Sequence, residues 1–193
     1  GSVLAELQLT DVNFTQSINT AGTFNASLLL SGVPAAANAS AATIPMRCSL
    51  YVDRDGVLVW GGVIVAREYN SATQHIKITA REFEYYLDRR RITTTQVFNS
   101  VDQLLIARTL VNNAQAVTGG NIGIQVGTET SGVNVSRVFY SYELKSVYQA
   151  LLDLSRSNTG FDFNIQVAYD GGGNPSKSLL LNYPQSGTDR KST

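Results

Sequence analysis

The sequence has almost none of the two residue types on which most catalytic and metal-binding sites depend. Its 193 residues include one cysteine, Cys48, and one histidine, His75. A lone cysteine forms no intramolecular disulfide and no multi-cysteine metal site, and the apolar neighbours of Cys48 favour a small buried side chain. No nucleophile motif accompanies His75, which we interpret as a solvated residue at a strand edge. The sequence therefore predicts no catalytic site.

Long apolar runs and an excess of one charge are also missing. No stretch approaches the ~18 consecutive apolar residues of a membrane span, and the N-terminal residues show no signal-peptide pattern. Basic and acidic residues each number 15, so the formal net charge is zero. No overall field therefore favours nucleic acid or an anionic membrane. Hydrophobic residues make up 43% of the chain, which is enough for a sizeable core.

The first half of the chain does contain the alternation of an antiparallel β-structure. Residues 3–30 alternate for much of their length around a turn at residues 19–22, and residues 75–80 have the pattern of a further strand. The Ala- and Ser-rich residues 32–43 predict a surface loop, with a helical turn or two as the alternative. In residues 81–92 the spacing between apolar residues lengthens to that of a helix, which predicts a short helix or turn. We expect about five strands in this half, closed into a small barrel or sandwich.

One hairpin is specified strongly within this half. Asp55 and Gly56 separate two apolar runs, and an Asp-Gly pair fits the positive-φ positions of a tight turn. Gly61 and Gly62 interrupt the returning strand, which indicates a bulge, a sharp bend or the close approach of another backbone. Trp60 comes just before them, either as a core residue or as part of a subunit contact, and the core is favoured.

The second half changes to helical spacing and predicts an α+β region with two helices. Residues 101–115 predict a helix with Ser100 as its N-cap, and residues 142–160 predict the clearest helix, with Gly160 at its end. A Gly-rich segment between them has short β-possibilities. Residues 161–169 and the run SLLLNY then predict a closing hairpin. The expected face of the first helix consists of Val101, Leu104, Leu105, Arg108 and Val111.

Other candidates for chemistry are weak. Asp53 and Asp55 form an Asp-x-Asp pair, but no EF-hand pattern follows, so turn residues are a better interpretation than a calcium site. Glu82 and Glu84 share a face only if their segment is extended, as a glycosidase pair would require. The Gly-rich segments lack the strand-to-helix setting and the lysine of a phosphate loop. We therefore assign no catalytic, cofactor-binding or metal-binding residue.

The three adjacent arginines Arg89, Arg90 and Arg91 are more distinctive. No aromatic platform or recognised nucleic-acid module accompanies them, so they indicate no nucleic-acid specificity. Two interpretations stay open. They form a solvated helix end, or they form an interface in which they pair with carboxylates on this chain or on a neighbouring copy.

Taken in order, these motifs resemble the minor tail proteins of siphophages that infect actinobacteria, a tail-tip baseplate-hub family. The resemblance rests on the opening VLAELQLTDVNFTQSINTAGTFNASLLL, on the hairpin SLYVDRDGVLVWGG and on the close AREFEYYLDRRRI. The segment YELKSVYQALLDLSRSNTGFDFNI resembles a later helix-then-strand segment of the same proteins. The matching residues are Glu6, Leu7, Leu9, Val12, Phe14, Asn19, Gly22, Phe24, Asp55, Gly56, Trp60, Gly61, Gly62, Ala80, Glu82, Tyr86, Leu87, Arg89, Arg90 and Ile92.

The resemblance implies a β-rich α+β fold of the baseplate-hub type. A first antiparallel β-barrel domain would span residues 3–95, and a second domain with helices would span residues 96–183. Residues 1–2 are expected to be a cloning scar and residues 184–193 a flexible tail. Proteins of this family trimerise below the tail tube and adapt it to the tail tip, so the surfaces that matter are those of subunit contacts.

We therefore expect a structural protein of a phage virion, located at the tail tip and without enzymatic activity or cofactor. Its expected partners are further copies of itself, as a trimer, and other tail proteins such as the distal tail and tape-measure proteins. Trp60, Arg89, Arg90 and Arg91 are the candidates for interface or packing roles. The alternative is a β-rich carbohydrate- or protein-binding module that uses exposed tyrosines. A cell-wall hydrolase that uses an acid such as Glu82 or Asp162 has less support.

Overall fold

The structure is a computed structural model that describes residues 3–30 and 35–185, without the side chains of residues 35–38. The expected cloning scar at residues 1–2 lies outside the described residues. So does the expected flexible tail, except for its first two positions, residues 184–185. None of the described helices is long and apolar enough to cross a membrane.

The backbone divides into two compact units. The first consists of Gly1–Tyr85 together with Val167–Ser176, and the second consists of Tyr86–Gln166 together with Lys177–Thr193. Each unit thus consists of two segments that are separated in the sequence. The division into two domains at residues 95 and 96 remains a prediction.

The first unit is built on one five-stranded antiparallel sheet. Its strands are β1 (Leu9–Phe14), β2 (Thr23–Leu29), β3 (Ser49–Arg54), β4 (Val57–Asn70) and β5 (His75–Glu82). Their order is β1-β2-β5-β4-β3, and the sheet curls into a half-barrel. Among the described residues no ladder joins β1 to β3, so both edges stay open. The predicted β-rich α+β class with an antiparallel meander is confirmed.

The predicted hairpin forms where the Asp-Gly pair requires it. Asp55 has φ 54° and Gly56 has φ 80°, which joins β3 to β4 through a tight turn. The Asp53 carboxylate accepts a hydrogen bond of 3.0 Å from the Gly56 amide. The inward positions of β2 and β5 alternate with outward ones, as a sheet with one buried face requires. The resulting core contains Phe24, Ala26, Leu28, Ala39, Cys48, Leu50, Trp60, Ile64, Ile76, Ile78 and Ala80.

Two expectations for the first unit are wrong in detail. The surface loop expected at residues 32–43 is wrong where the structure describes the segment. The alternative of a helical turn or two is realised there as α1 (Ala35–Ala42), and Ala39 is part of the core. The small side chains that suggested a loop instead let this helix pack closely against the sheet. The strand expected from residue 3 begins at Leu9, and the interior of β1 is exposed, so few of its side chains pack. A short helix, α2 (Glu84–Arg89), follows β5 as expected.

The second unit combines helices with two small sheets. Its helices are α3 (Gln103–Ala116) and α4 (Val147–Ser155), and its strands are β6 (Gln96–Asp102), β7 (Ile124–Val126), β8 (Asn134–Phe139), β9 (Asp162–Tyr169) and β10 (Pro175–Asn182). The β6 and β8 strands form an antiparallel pair, and the other sheet has the order β7-β10-β9. The predicted closing hairpin is therefore β9–β10, and its tip, Val167–Ser176, groups with the first unit.

The first predicted helix begins later than the sequence indicates. Its N-cap is Asp102, whose side chain accepts hydrogen bonds from the Leu104 and Leu105 amides. Ser100 instead lies in β6 with φ 52°, and Val101 is a strand residue paired with Val135. Leu105 is also 47% exposed, although the apolar spacing places it on the buried face.

The second predicted helix is shorter than expected at both ends. Ser146 caps α4, because its side chain accepts a hydrogen bond from the Gln149 amide. Before it, Ser141–Glu143 form a 3-10 turn, and Leu144 has a left-handed φ of 45°. Gly160 lies beyond the helix end, where an added Cβ would lie 1.8 Å from the Ser155 carbonyl oxygen.

Candidate interaction surfaces

Trp60 lies inside the first unit and presents no surface to a partner. Its relative exposure is 0%. Its ring packs against Phe24 and Phe14, at centroid distances of 5.1 and 6.4 Å. Its indole Nε1 donates a hydrogen bond of 3.3 Å to the Thr15 carbonyl oxygen. The aromatic cluster and this hydrogen bond satisfy both the apolar and the polar parts of the side chain.

The glycine pair after Trp60 marks the close approach of other groups. A Cβ on Gly61 would lie 2.6 Å from Cγ1 of Val167, and a Cβ on Gly62 would lie 2.2 Å from the Arg81 carbonyl oxygen. The ladder irregularities of β4 lie elsewhere, near Leu58 and between Ile64 and Ala66. Of the three alternatives for this pair, close approach is therefore the one realised.

The three arginines lie in the second unit and differ in their surroundings. Arg89 and Arg91 are exposed. The Arg90 guanidinium lies 4.6 Å from the Tyr86 ring centroid and donates a hydrogen bond to the Gly119 carbonyl oxygen. Among the described residues, none of the three forms an ion pair with a carboxylate. Their predicted pairing within this chain is therefore not made there, and pairing with a neighbouring copy remains a prediction.

An antiparallel ribbon continues from these arginines. Arg91 forms a backbone bridge with Ser146, and the ribbon then runs through Thr95, whose hydroxyl accepts a hydrogen bond from the Ser141 amide. It ends in the β6–β8 ladder. Among the described residues, this ladder has no third strand. Both outer edges of the β6–β8 pair are therefore unpaired there.

One face of this ribbon is apolar and exposed. Val97 and Val138 are directly opposite each other in the ladder and are 58% and 42% exposed. Tyr140 and Tyr142 follow on the same arm and are 42% and 76% exposed. Their rings stack at a centroid distance of 5.1 Å and an interplanar angle of 21°. We call Val97, Val138, Tyr140 and Tyr142 the ribbon patch.

Sequence reasoning missed the ribbon patch. It assigned the residues of β8 to a Gly-rich segment with short β-possibilities and singled out neither Tyr140 nor Tyr142. A usable signal was present, because NVSRVFY (residues 134–140) is rich in the β-branched and aromatic residues that favour strands. The short length of this run and the glycines before it hid the pattern.

The first unit carries a surface of opposite charge around Tyr169. The Tyr169 hydroxyl donates a hydrogen bond of 2.6 Å to the Asp53 carboxylate. This hydrogen bond, slight burial and the nearby charges of Asp53 and Glu6 raise the pKa of Tyr169. Asp55 is in the adjoining turn, and Asp170 follows Tyr169 in the chain. We call Glu6, Asp53, Asp55 and Asp170 the acidic patch.

The candidates for chemistry occupy structural positions. Cys48 is buried, and its Sγ lies 3.3 Å from the Ala41 carbonyl oxygen. His75 lies at the start of β5 with Nδ1 2.6 Å from the Thr73 carbonyl oxygen. Within the described residues, no group of three or more His, Cys, Asp or Glu side chains could hold a metal ion. The burial of Cys48 and the hydrogen bond from Gly56 to Asp53 agree with the interpretations of these two residues. His75 is instead half-buried and is paired with Leu29 on one side and Asn70 on the other, so it is not a solvated residue at a strand edge.

Glu82 is a buried carboxylate with a structural partner. Its Oε2 accepts a hydrogen bond of 2.6 Å from the Gly22 amide, which ties β5 to the turn before β2. Burial raises the pKa of Glu82, and the hydrogen bonds from Gly22 and Gln16 offset only part of that rise. The carboxylate therefore serves the fold of the first unit.

A cavity of ≈ 340 Å³ opens on the first unit. Its one charged side chain, Arg67, is already engaged. Nη1 donates to the Ser40 carbonyl oxygen at 2.6 Å and to the Thr43 hydroxyl at 3.1 Å. We assign no ligand to this cavity, which is lined by Leu30, Ser40, Arg67, Tyr69 and Ile76.

Comparison with known proteins finds similarity in fold but not in sequence. No family model and no curated protein matches the chain. Among solved structures, the Escherichia coli c3393 protein is 10% identical, with a TM-score of 0.50 over 91% of this chain and 48% of that one. It is described as a component of the type VI secretion system with structural similarity to the T4 bacteriophage tail proteins gp27 and gp5.

Two further structures are similar at lower scores. A tail protein from Neisseria meningitidis MC58 is 13% identical over 81% of this chain and 41% of that one, with a TM-score of 0.48. The 43 kDa tail protein of prophage MuSo2 from Shewanella oneidensis is 17% identical over 90% and 50%, with a TM-score of 0.47. The chain thus spans about half the length of the proteins it matches. The likeness to c3393 shows a shared fold, and at this identity it shows the fold alone.

Proposed function

We propose that this chain is a structural, non-enzymatic component of a bacteriophage tail, a hub-like minor tail protein of the siphophage type. In this role it forms a homotrimer at the tail tip and connects the tail tube to the distal host-recognition apparatus. Its partners are then other tail proteins, such as the distal tail and tape-measure proteins. The observation that carries the proposal is the fold shared with the c3393 protein over 91% of this chain.

The exposed surfaces of the two units support an assembly role. The ribbon patch places two valines and two stacked tyrosines on the surface of a strand pair that no third strand completes among the described residues. Arg89 and Arg91 are exposed in the same unit and form no ion pair with a carboxylate among the described residues. Exposed aromatic residues and arginines are typical of protein–protein interfaces.

The solution mass tests this proposal directly. Light scattering across a concentration series should give three times the chain mass of 20.9 kDa, with dissociation on dilution. Negative-stain images of the same fraction should show rings with threefold symmetry. A protein that stays at 20.9 kDa up to the highest soluble concentration contradicts the hub proposal.

A carbohydrate-binding module is the second candidate, because the Tyr140–Tyr142 stack is exposed. Exposed aromatic faces bind sugar rings through apolar contact. Calorimetric titration with soluble cell-wall glycans separates the two functions. If the protein is a structural tail component, we expect no glycan to bind to it, either as a monomer or as a trimer. Saturable binding that the Tyr142→Ala variant loses favours the binding module instead.

A further inference from the structure

Arg91 and the ribbon patch lie along the same two segments of the second unit, which are joined by the Arg91–Ser146 bridge and by the β6–β8 ladder, and Arg89 comes two residues before Arg91. Arg91, Thr95 and Val97 are exposed, and Ile92 is buried. The side chains of Arg89 and Arg91 find no carboxylate among the described residues of their own chain. The surface therefore offers guanidinium groups at one end and apolar side chains along its length. A partner that fits it must supply carboxylates beside exposed apolar or aromatic groups.

The chain itself carries a surface of that chemistry. Two members of the acidic patch, Asp53 and Glu6, lie close to Tyr169, which is 39% exposed. Asp53 and Asp170 are also held in position. Asp53 accepts hydrogen bonds from Gly56 and Tyr169, and Asp170 accepts hydrogen bonds from the backbone amides of its own turn. A carboxylate cluster beside a tyrosine is complementary to an arginine cluster beside two tyrosines.

We propose that the ribbon patch of one copy, with Arg89 and Arg91, binds the acidic patch of a neighbouring copy. This inference rests on the proposed homo-oligomer and names the surfaces through which it forms. The two surfaces consist of different residues, so the contact is heterologous. Each copy uses its ribbon patch toward one neighbour and its acidic patch toward the other. Heterologous contacts close into rings when the rotation per contact divides a full turn, which a trimer satisfies.

Charge reversal at exposed residues tests the contact without changing the hydrophobic core of either unit. The first variant, Arg89→Glu with Arg91→Glu, turns the arginine end acidic. The second variant combines Glu6→Arg with Asp53→Asn, Asp55→Asn and Asp170→Asn, which takes the acidic patch from four negative charges to one positive charge. Asparagine tolerates the left-handed φ of 54° at Asp55 and keeps a side-chain oxygen for the backbone hydrogen bonds that Asp53 and Asp170 accept. Each should raise the apparent dissociation constant of the assembly on the order of 100-fold, since opposed like charges cost several kcal/mol.

Combining all six substitutions in one chain is the decisive step. The acidic ribbon would then meet a basic patch, so the apparent dissociation constant should return toward the wild-type value. The matched control is Arg47→Glu with Arg156→Glu. This control changes the net charge as much as the first variant does, but at two exposed arginines outside both surfaces. It should assemble as the wild type does.

The outcomes separate this inference from the hub proposal. A trimer that the first two variants form as readily as the wild type overturns this interface and leaves the homotrimer in place. Loss of assembly in the first two variants without recovery in the combined variant also overturns the pairing of these surfaces. A wild type that never assembles contradicts the homotrimer and this contact together. Loss in each variant with recovery in the combination, measured by sedimentation velocity, supports the inference.

Discussion

Gly62 lies where two backbones meet so closely that no side chain fits. A Cβ there would lie 2.2 Å from the Arg81 carbonyl oxygen and 2.5 Å from the Trp60 ring. Both groups are rigid, because one is strand backbone and the other is an indole packed at 0% exposure. Both the β4–β5 ladder and the packing around Trp60 therefore require a residue without a Cβ at position 62.

We predict that Gly62→Ala destabilises the protein by roughly 2–3 kcal/mol, because relief of the clash requires the strand to shift. Chemical denaturation should show this as a lower midpoint with an unchanged slope. Gly171→Ala is the matched control. A Cβ at Gly171 meets nothing within 4 Å, and its φ is not positive. Equal midpoints for the two variants would contradict the close approach at Gly62.

At the scale of secondary structure, the Asp102 side chain joins two segments of the second unit. Its Oδ1 accepts hydrogen bonds from the Leu104 and Leu105 amides at the start of α3. Its Oδ2 accepts them from the amides of Ser131 and Gly132, at 2.9 Å each. One carboxylate therefore begins the helix and fixes the loop that precedes β8.

We predict that Asp102→Ala costs about 2 kcal/mol, the upper part of the range for loss of an N-cap, because it also releases the loop. Ser100→Ala is the control, since Ser100 is the cap that the sequence suggests. No helix amide donates to its side chain in the structure, so its cost should stay within about 0.5 kcal/mol. A larger cost for Ser100→Ala than for Asp102→Ala would refute the assignment of the cap.

The stabilisation by Asp102 should also depend on pH. Burial alone raises the pKa of Asp102, but the hydrogen bonds from Ser131, Leu104, Leu105 and Gly132 together lower it below its ordinary value of 3.8. The folded state therefore releases this proton more readily than the unfolded state does. The stabilisation is present above pH 3.8 and is lost as the pH falls through the lower folded value. The stability gap between wild type and Asp102→Ala should narrow in that acid range.

The elements that the sequence predicts well are those set by local chemistry. The Asp55-Gly56 turn, β5 and the β9–β10 hairpin follow from turn residues and from alternation over short distances. The start of α3 was predicted wrongly, because Val101 has helical spacing but pairs with Val135 in a strand. The true cap, Asp102, accepts three of its five side-chain hydrogen bonds from Ser131 and Gly132, which lie 29 and 30 residues away in the sequence.

The candidate surfaces could be predicted only in part. The run Arg89–Arg91 stands out in the sequence, and two of its three residues, Arg89 and Arg91, are exposed in the structure. The ribbon patch depends on the register Val97 to Val138 across a connection that contains α3, which no local pattern specifies. The acidic patch likewise depends on Asp53 and Tyr169, which are 116 residues apart in sequence. Surfaces assembled from distant segments require the fold before they can be recognised.

For the whole molecule, zero net charge conceals an uneven distribution. Overall neutrality leaves little long-range repulsion between copies, so local complementarity decides how they associate. Arg89 and Arg91 contribute two positive charges at one surface, and Glu6, Asp53, Asp55 and Asp170 contribute negative charges at another. An assembly held partly by such exposed charges must respond to salt.

We predict that the trimer weakens as sodium chloride rises from about 0.1 to about 1 M, because the screening length falls from about 10 to about 3 Å. The apolar contribution of the ribbon patch opposes this trend, since salting-out strengthens apolar contacts. The sign of the salt effect therefore shows which contribution dominates. Sedimentation velocity on the wild type should show dissociation at high salt. The Arg47→Glu and Arg156→Glu control should follow the same curve, because its changes lie outside the contact. Assembly that tightens with salt would place the driving force in the valines and tyrosines and contradict the paired charges.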